Sequence, residues 1–272
     1  MTEAVTPERV AVAGYGAIGR RLVRELSDGI PGLTLAAVAT RRLDEVKRAI
    51  AAHGMVADVV GLDDLPHVCD VAVECTAGHL LPQIAAPILQ AGKEVIVLSA
   101  GALLQHPELV AAARQHGGKL TVPTGALLGL DVVAAAALVD DCAVRVETRK
   151  PPRALAGAPF FDGKEVDLDA ITSARLIFEG TAREAAAGFP ANLNVTAALA
   201  LAGVGADRTR VEVWADPALD TNRHTVTIAS SAVRASMTIN NVPSENPKTG
   251  LITALSVISL LRKRHAPFVV GS

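Results

Sequence analysis

Six consecutive residues, Gly14-Tyr-Gly16-Ala-Ile-Gly19, spell G-x-G-x-x-G between an apolar run ending at Ala13 and a helical pattern from about Ile18. In that context the three glycines have separate physical jobs. Gly14 permits a tight turn, Gly16 lets a pyrophosphate approach the backbone, and Gly19 lets helix and strand pack closely. The helix N-terminus, with Ala17 and Ile18 in its first turn, attracts the anion. A plain strand-to-helix turn is the alternative. About 20 positions further on, where an acidic residue would hold a ribose 2′-hydroxyl, the chain reads Ala39-Thr40-Arg41-Arg42. Arg41 suits a 2′-phosphate, or it simply opens a solvated helix, so the expected cofactor is NAD or NADP. The remaining chemistry falls to His224, the residue type that trades a proton near neutral pH without retuning, and to three cations suited to carboxylates, Arg149, Lys150 and Lys248. Ordinary surface charge is the competing reading of each cation.

These groups need elements to hold them. In the first half, strand patterns (Arg9–Ala13, Leu33–Ala39, Val68–Glu74, Val95–Leu98, Leu120–Val122) alternate with helical ones (Ile18–Leu26, Leu43–Ala52, Leu81–Ala91, Pro107–Gln115). That rhythm predicts a Rossmann-type parallel sheet covered by helices on both faces. Beyond about residue 125 the strands Val144–Thr148, Val211–Trp214, Thr225–Ser230 and Ala235–Ile239 alternate apolar with polar residues, as half-buried antiparallel strands do. Helices are expected at Thr181–Ala187 and Val195–Ala202, and an apolar helix with a basic tail at Lys248–Arg264. The fold class is therefore α/β: a dinucleotide-binding domain over residues 1–123, to which 245–272 return, and an α+β domain with a mostly antiparallel sheet over 124–244. His224, just before its strand, shares the apolar face of Val226 and Ile228. A satisfied core histidine is the bland alternative.

Composition excludes several classes. The 272 residues carry 26 basic and 28 acidic side chains, net −2, and 3% aromatics. No basic field or stacking platform serves nucleic acid or an anionic membrane surface. The mean hydropathy is +0.35, yet the uncharged stretches are short or broken by Pro190, Asn192 and Asn194, so no spanning helix is expected. Three cysteines without a C-x-x-C, and no His pair at metal-ligand spacing, argue for a reducing cytoplasm and against a metal site.

With these segments in view, the sequence resembles the L-aspartate dehydrogenase family over almost its whole length. The resemblance is carried by Gly14–Gly19, Glu74-Cys-Thr-Ala-Gly-His79, Ser99-Ala-Gly-Ala-Leu103, Thr124-Gly-Ala-Leu-Leu-Gly-Leu-Asp131 and Thr148-Arg-Lys-Pro151. It continues through Phe178-Glu-Gly-Thr-Ala-Arg-Glu-Ala185, Phe189-Pro-Ala-Asn-Leu-Asn-Val195, Ala215-Asp-Pro217 with His224, and Asn246-Pro-Lys-Thr249. It implies oxidation of L-aspartate at its α-carbon with hydride passing to NAD or NADP. The iminoaspartate formed is hydrolysed to oxaloacetate and ammonia or passed toward quinolinate for NAD synthesis. It further implies His224 as the catalytic histidine, taking a proton during amine oxidation or activating the water that attacks the imine. Ala126 and Asn194 become cofactor contacts near the nicotinamide, Asn194 being preferred to Asn192 on its spacing to His224. Thr76, Ala77 and Gly101 lie in loops expected to meet the cofactor, and a homodimer joined through the second domain's open sheet is expected by analogy.

Two other readings compete. A dihydrodipicolinate- or homoserine-type reductase shares the two-domain plan, but such a reductase carries a paired-His motif followed by Lys, and His224 has no adjacent His. A non-catalytic NAD(P)-binding sensor would keep Gly14–Gly19 and has no need of His224.

Overall fold

A computed structural model describes residues 6–164, 166–190, 193–242 and 250–271. The chain forms two compact units, each taken by itself. One runs through Ser99, resumes over Gln105–Pro123 and ends with Ala254–Val270; the second takes Ala100–Leu104 and the chain from Thr124 through Thr253.

The first unit is built from β1 (Glu8–Ala13), α1 (Ala17–Asp28), β2 (Leu33–Ala39), α2 (Leu43–Ala52), β3 (Asp58–Val60), α3 (Leu65–Val68), β4 (Val71–Glu74), α4 (Leu81–Gln90) and β5 (Glu94–Val97). After the short α5 (Ala100–Leu103), which belongs to the second unit, come α6 (Pro107–His116) and β6 (Lys119–Thr121). The sheet is wholly parallel in the order β3-β2-β1-β4-β5-β6. Its central strands are buried on both faces, which is why Val10–Ala13 and Val71–Val73 read as continuous apolar runs. Val10, Leu22, Val38, Val73 and Ile96 form its core.

The second unit holds α5, α7 (Leu130–Ala136), β7 (Ala143–Lys150), β8 (Arg175–Thr181), α8 (Ala182–Gly188), α9 (Asn194–Ala202), β9 (Arg210–Ala215), β10 (Arg223–Ala229) and β11 (Arg234–Asn240). Its mixed sheet has the order β11-β10-β7-β9-β8, with only the β7–β9 pair parallel. Along β7 and β10 every second residue is buried: Val144, Val146, Thr148 and Lys150 on one strand, His224, Val226 and Ile228 on the other. Those apolar members pack into a core with Val133, Phe189 and Leu199. The last helix, α10 (Leu251–Lys263), contributes Val257, Ile258 and Leu261 to the core of the first unit.

Several elements depart from the sequence expectation. β3 and β8 were not expected. The first has three residues at a sheet edge, and a bulge between Leu176 and Phe178 breaks the alternation of the second. α5, four residues long, packs on α9 and so places Ala100–Leu104 with the second unit rather than the first. The strand expected from Val68 begins at Val71, because Leu65–Val68 close a helical turn. α10 begins at Leu251, and of the segment expected to return to the first unit, Ala254–Val270 lies in it while 245–249 fall outside the described residues. Among the described residues no helix is long and apolar enough to cross a membrane.

Candidate active site

In the first unit the chemistry begins where β1 runs out. Gly14 has φ +102°, and a Cβ there would lie 2.6 Å from the Cys75 carbonyl oxygen, so both conformation and space demand glycine. A Cβ on Gly19 would lie 2.1 Å from the Gly14 carbonyl oxygen; helix and turn touch backbone to backbone. Gly16 differs: nothing lies within 4 Å of its missing Cβ, and it is exposed at the N-cap of α1 with no side chain capping the helix. An anion can therefore reach the first amides of α1, with Ala17 and Ile18 in the first turn, and this cradle fits a pyrophosphate. Thr76 and Ala77 follow β4 on the neighbouring strand end.

Past β2, Arg42 is held by Glu45 and its N–H donates to the Thr40 hydroxyl. Arg41 is exposed, and no hydrogen bond or ion pair holds it among the described residues. No carboxylate ends β2. A cofactor with either a 2′-hydroxyl or a 2′-phosphate is accommodated.

In the second unit His224 lies inside β10, not before it as the sequence pattern suggested. It pairs across the sheet with Thr148 on β7 and Ile239 on β11. Its Nδ1 is 3.1 Å from the Thr148 hydroxyl. His224 is 2% exposed and Thr148 fully buried. Burial first, and the neighbouring Lys150 charge second, push the imidazole down to about 3. It is thus neutral across the working range, with one ring nitrogen unprotonated and the other beside Thr148; burial retunes this ring away from the near-neutral titration expected of its residue type.

The two adjacent cations of β7 part company because strand side chains alternate. Lys150 shares the inner face with Thr148 and His224, is 3% exposed, and has no ion-pair partner among the described residues. Burial pushes its ammonium down to about 8. Arg149 points to the opposite face. Its Nε donates to Glu147 at 2.7 Å, its Nη1 to Asp216 at 3.4 Å, and its guanidinium lies over the Trp214 ring at 4.7 Å. Two carboxylates already satisfy it. Lys248 and Asn192 lie outside the described residues.

Asn194 opens α9, and its Oδ1 accepts the Gly101 N–H at 3.1 Å. That contact settles the amide orientation, since a backbone N–H can only meet the oxygen, and it leaves Nδ2 as a donor. Ala126 sits half-buried in the turn before α7. The structure thus groups His224 with Lys150, and Asn194 with Gly101, while Arg149 stands on the other face. Three polar residues escaped sequence reasoning: Thr148, Glu74 and Ser99. Each lies in a segment already conspicuous for its resemblance, and the usable signal was a polar residue at a buried strand position or strand end.

A glycine-turn parallel sheet of this order, joined to a mixed-sheet unit with a buried neutral histidine, defines a nicotinamide-dependent dehydrogenase of the Rossmann class, and its cofactor is NAD or NADP. Residues 14–123 match the family model described as homoserine dehydrogenase, NAD binding domain, and residues 131–264 match that described as aspartate dehydrogenase, C-terminal. The chain is 50% identical over 264 residues to L-aspartate dehydrogenase 3 of Bordetella bronchiseptica, covering 97% of each. It is 49% identical to the L-aspartate dehydrogenase of Bradyrhizobium diazoefficiens, covering 97% of this chain and 94% of that one. The crystal structure of the Thermotoga maritima aspartate dehydrogenase superposes with a TM-score of 0.73 at 26% identity, covering 97% and 99%. The chain belongs to the L-aspartate dehydrogenase family.

Proposed function

We infer that the protein oxidises L-aspartate at its α-carbon, using NAD or NADP, to iminoaspartate, which water converts to oxaloacetate and ammonia. The observation that carries this is the inner-face trio of β7 and β10 in a chain so similar to named L-aspartate dehydrogenases. His224 supplies a neutral proton acceptor; Lys150 supplies a buried cation with no counter-ion among the described residues, the complement of a substrate carboxylate. An unpaired buried charge is costly, and a dicarboxylate neutralises it. The nicotinamide, when bound, accepts the hydride. The chain's own part is proton handling and positioning. The amine must lose an N–H proton as the α-carbon loses hydride, and the later attack of water releases another. His224 takes these protons. For that its Nε2 must be unprotonated, so its Nδ1–H donates to Thr148.

On the same reading Gly14, Gly16, Ala17, Ile18, Gly19, Thr76 and Ala77 hold the dinucleotide in the first unit. Arg41 receives a 2′-phosphate. Gly101, Ala126 and Asn194 serve the nicotinamide end, Asn194 through its Nδ2. Arg149 acts on the carboxylates only indirectly, given its own acidic partners. Lys248 remains a proposed carboxylate ligand on its segment's resemblance alone. The protein acts in the cytoplasm on a small molecule, without nucleic acid or membrane partners, and as a homodimer. Its net charge of −2, its three free cysteines and the polar face of its second sheet, bearing Glu147, Trp214 and Thr227, support that setting.

Reduced-nicotinamide absorbance tests the reading, with L-aspartate and either NAD or NADP. Wild type should reduce at least one cofactor, and His224→Ala should lose about 10²–10⁴ in kcat while still binding it. Arg41→Ala should weaken NADP more than NAD. Tight NAD(P)H binding without aspartate turnover would favour the sensor instead.

A further inference from the structure

Glu74 ends β4, a strand that otherwise reads Val-Ala-Val, and is fully buried. No cation pairs with it among the described residues. Its oxygens are met by four donors from two loops. Oε1 accepts the Thr76 N–H at 2.8 Å, the Thr76 hydroxyl at 2.9 Å and the Ser99 hydroxyl at 3.1 Å; Oε2 accepts the Ser99 N–H at 2.9 Å. Both hydroxyls are turned toward the carboxylate oxygens, the Thr76 hydroxyl having only a longer alternative in the Ala77 carbonyl oxygen at 3.5 Å.

The position matters as much as the count. β4 lies between β1 and β5, at the reversal of strand order where ligands of such sheets bind outside the carboxyl ends. Thr76 is the second residue of the loop after β4, and Ser99 the second of the loop after β5. The Thr76 methyl also backs the glycine turn: a Cβ on Gly14 would lie 3.1 Å from Thr76 Cγ2. One carboxylate therefore braces two loops, one of which backs the glycine turn. A buried carboxyl group is an expensive way to fill space where an apolar residue would pack, unless ordering those loops is its purpose.

We propose that Glu74 is a positioning residue for the dinucleotide, clamping the loops after β4 and β5 into the shape the cofactor meets, and withdrawing the Thr76 and Ser99 hydroxyls as donors to it. This rests on NAD(P) binding in the first unit. The cofactor then meets backbone groups of Thr76 and Ala77 rather than the Thr76 hydroxyl proton. The clamp is made wholly of the chain's own groups, so its loss can be read in the cofactor-free protein.

Glu74→Gln keeps the shape but sets an NH2 against donors. Amide hydrogen exchange in the cofactor-free variant should accelerate at Thr76 and Ser99 and remain as in wild type at Val73 and Ile96. The Kd for NADH should rise about tenfold, as for one lost hydrogen bond, while kcat at saturating cofactor and the aspartate KM stay within about threefold. Unchanged NADH affinity despite faster loop exchange overturns the proposal, as does a uniform loss of protection across the sheet. If Glu74→Gln does not fold, Thr76→Val and Ser99→Ala remove one arm each. Faster exchange in the cofactor-free state together with a weaker Kd supports the clamp. A weaker Kd with unchanged exchange shows instead that the hydroxyls bind cofactor directly, and overturns it. Neither exchange nor NADH binding needs turnover, so a protein that binds NADH without oxidising aspartate ends the functional reading and leaves this one standing.

Discussion

On the inner face of β7 and β10, a hydroxyl 3.1 Å from Nδ1 holds the ring of a buried imidazole; on the proposed mechanism it accepts the Nδ1–H and leaves Nε2 free. Thr148→Val removes that hydroxyl while keeping its bulk. The ring then loses its fixed tautomer, and kcat should fall roughly tenfold, the worth of one hydrogen bond, with NADH affinity unchanged; steady-state kinetics beside a binding titration would check this. Lys150 makes a pH prediction whose sign is set by its charged form. The ammonium is the species that attracts a carboxylate, and burial has moved its loss to about pH 8. Inhibition by succinate, a dicarboxylate with no amine of its own to titrate, should therefore weaken as pH rises through about 8. Lys150→Arg should carry that limb to higher pH, because a guanidinium holds its proton. A succinate inhibition constant flat from pH 7 to 10 would remove Lys150 from the substrate's contacts.

At the scale of elements, three glycines of one motif divide between fold and function. Gly19→Ala must push α1 away from the turn, since its Cβ would fall 2.1 Å from the Gly14 carbonyl oxygen; a loss of about 1–3 kcal/mol is expected, seen as a lower Tm. Gly16→Ala meets nothing within 4 Å. Its Tm should stay near wild type while NADH affinity drops, because the methyl stands where the anion approaches. The same elements show what could be read in advance. β2 and α2 fell on their expected bounds, each bounded by local turn chemistry. The alternation of Val226 and Ile228 correctly gave His224 a buried face. What lay beyond reach was pairing. That β10 runs beside β7 in the register His224 to Thr148 is a contact 76 residues apart, and nothing local encodes it. Hence Thr148 went unnoticed, and Arg149 and Lys150 were weighed alike until the pleat separated them. The bulge in β8 hid that strand for a related reason: an extra residue erases the period that reveals it.

At the scale of the whole molecule, the last helix is fastened by charge as well as by its core residues. Arg264 donates from Nε and Nη2 to both oxygens of Glu8, at 2.8 and 2.6 Å, and from Nη1 to Glu94 at 2.8 Å. Burial alone would raise the Glu8 carboxyl; the Arg264 hydrogen bonds and charge, with His265, bring it below its ordinary value. A lowered carboxylate contributes stability that is complete above the unfolded value of 4.5 and is lost as pH falls. Arg264→Ala should cost about 1–2 kcal/mol at neutral pH, between the worth of an exposed pair and the loss of one partner from a buried one, and less below pH 4; thermal melts at both pH values would check it. α10 also sets an order of events in biosynthesis. The ribosome makes the six strands of the parallel sheet before the mixed-sheet unit, and α10 after it. Until α10 emerges, the first-made core lacks Val257, Ile258 and Leu261 and keeps an apolar face uncovered. The parallel-sheet unit is thus completed only after the mixed-sheet unit has been made, and chaperone binding to ribosome-bound chains should persist over that face until α10 has emerged.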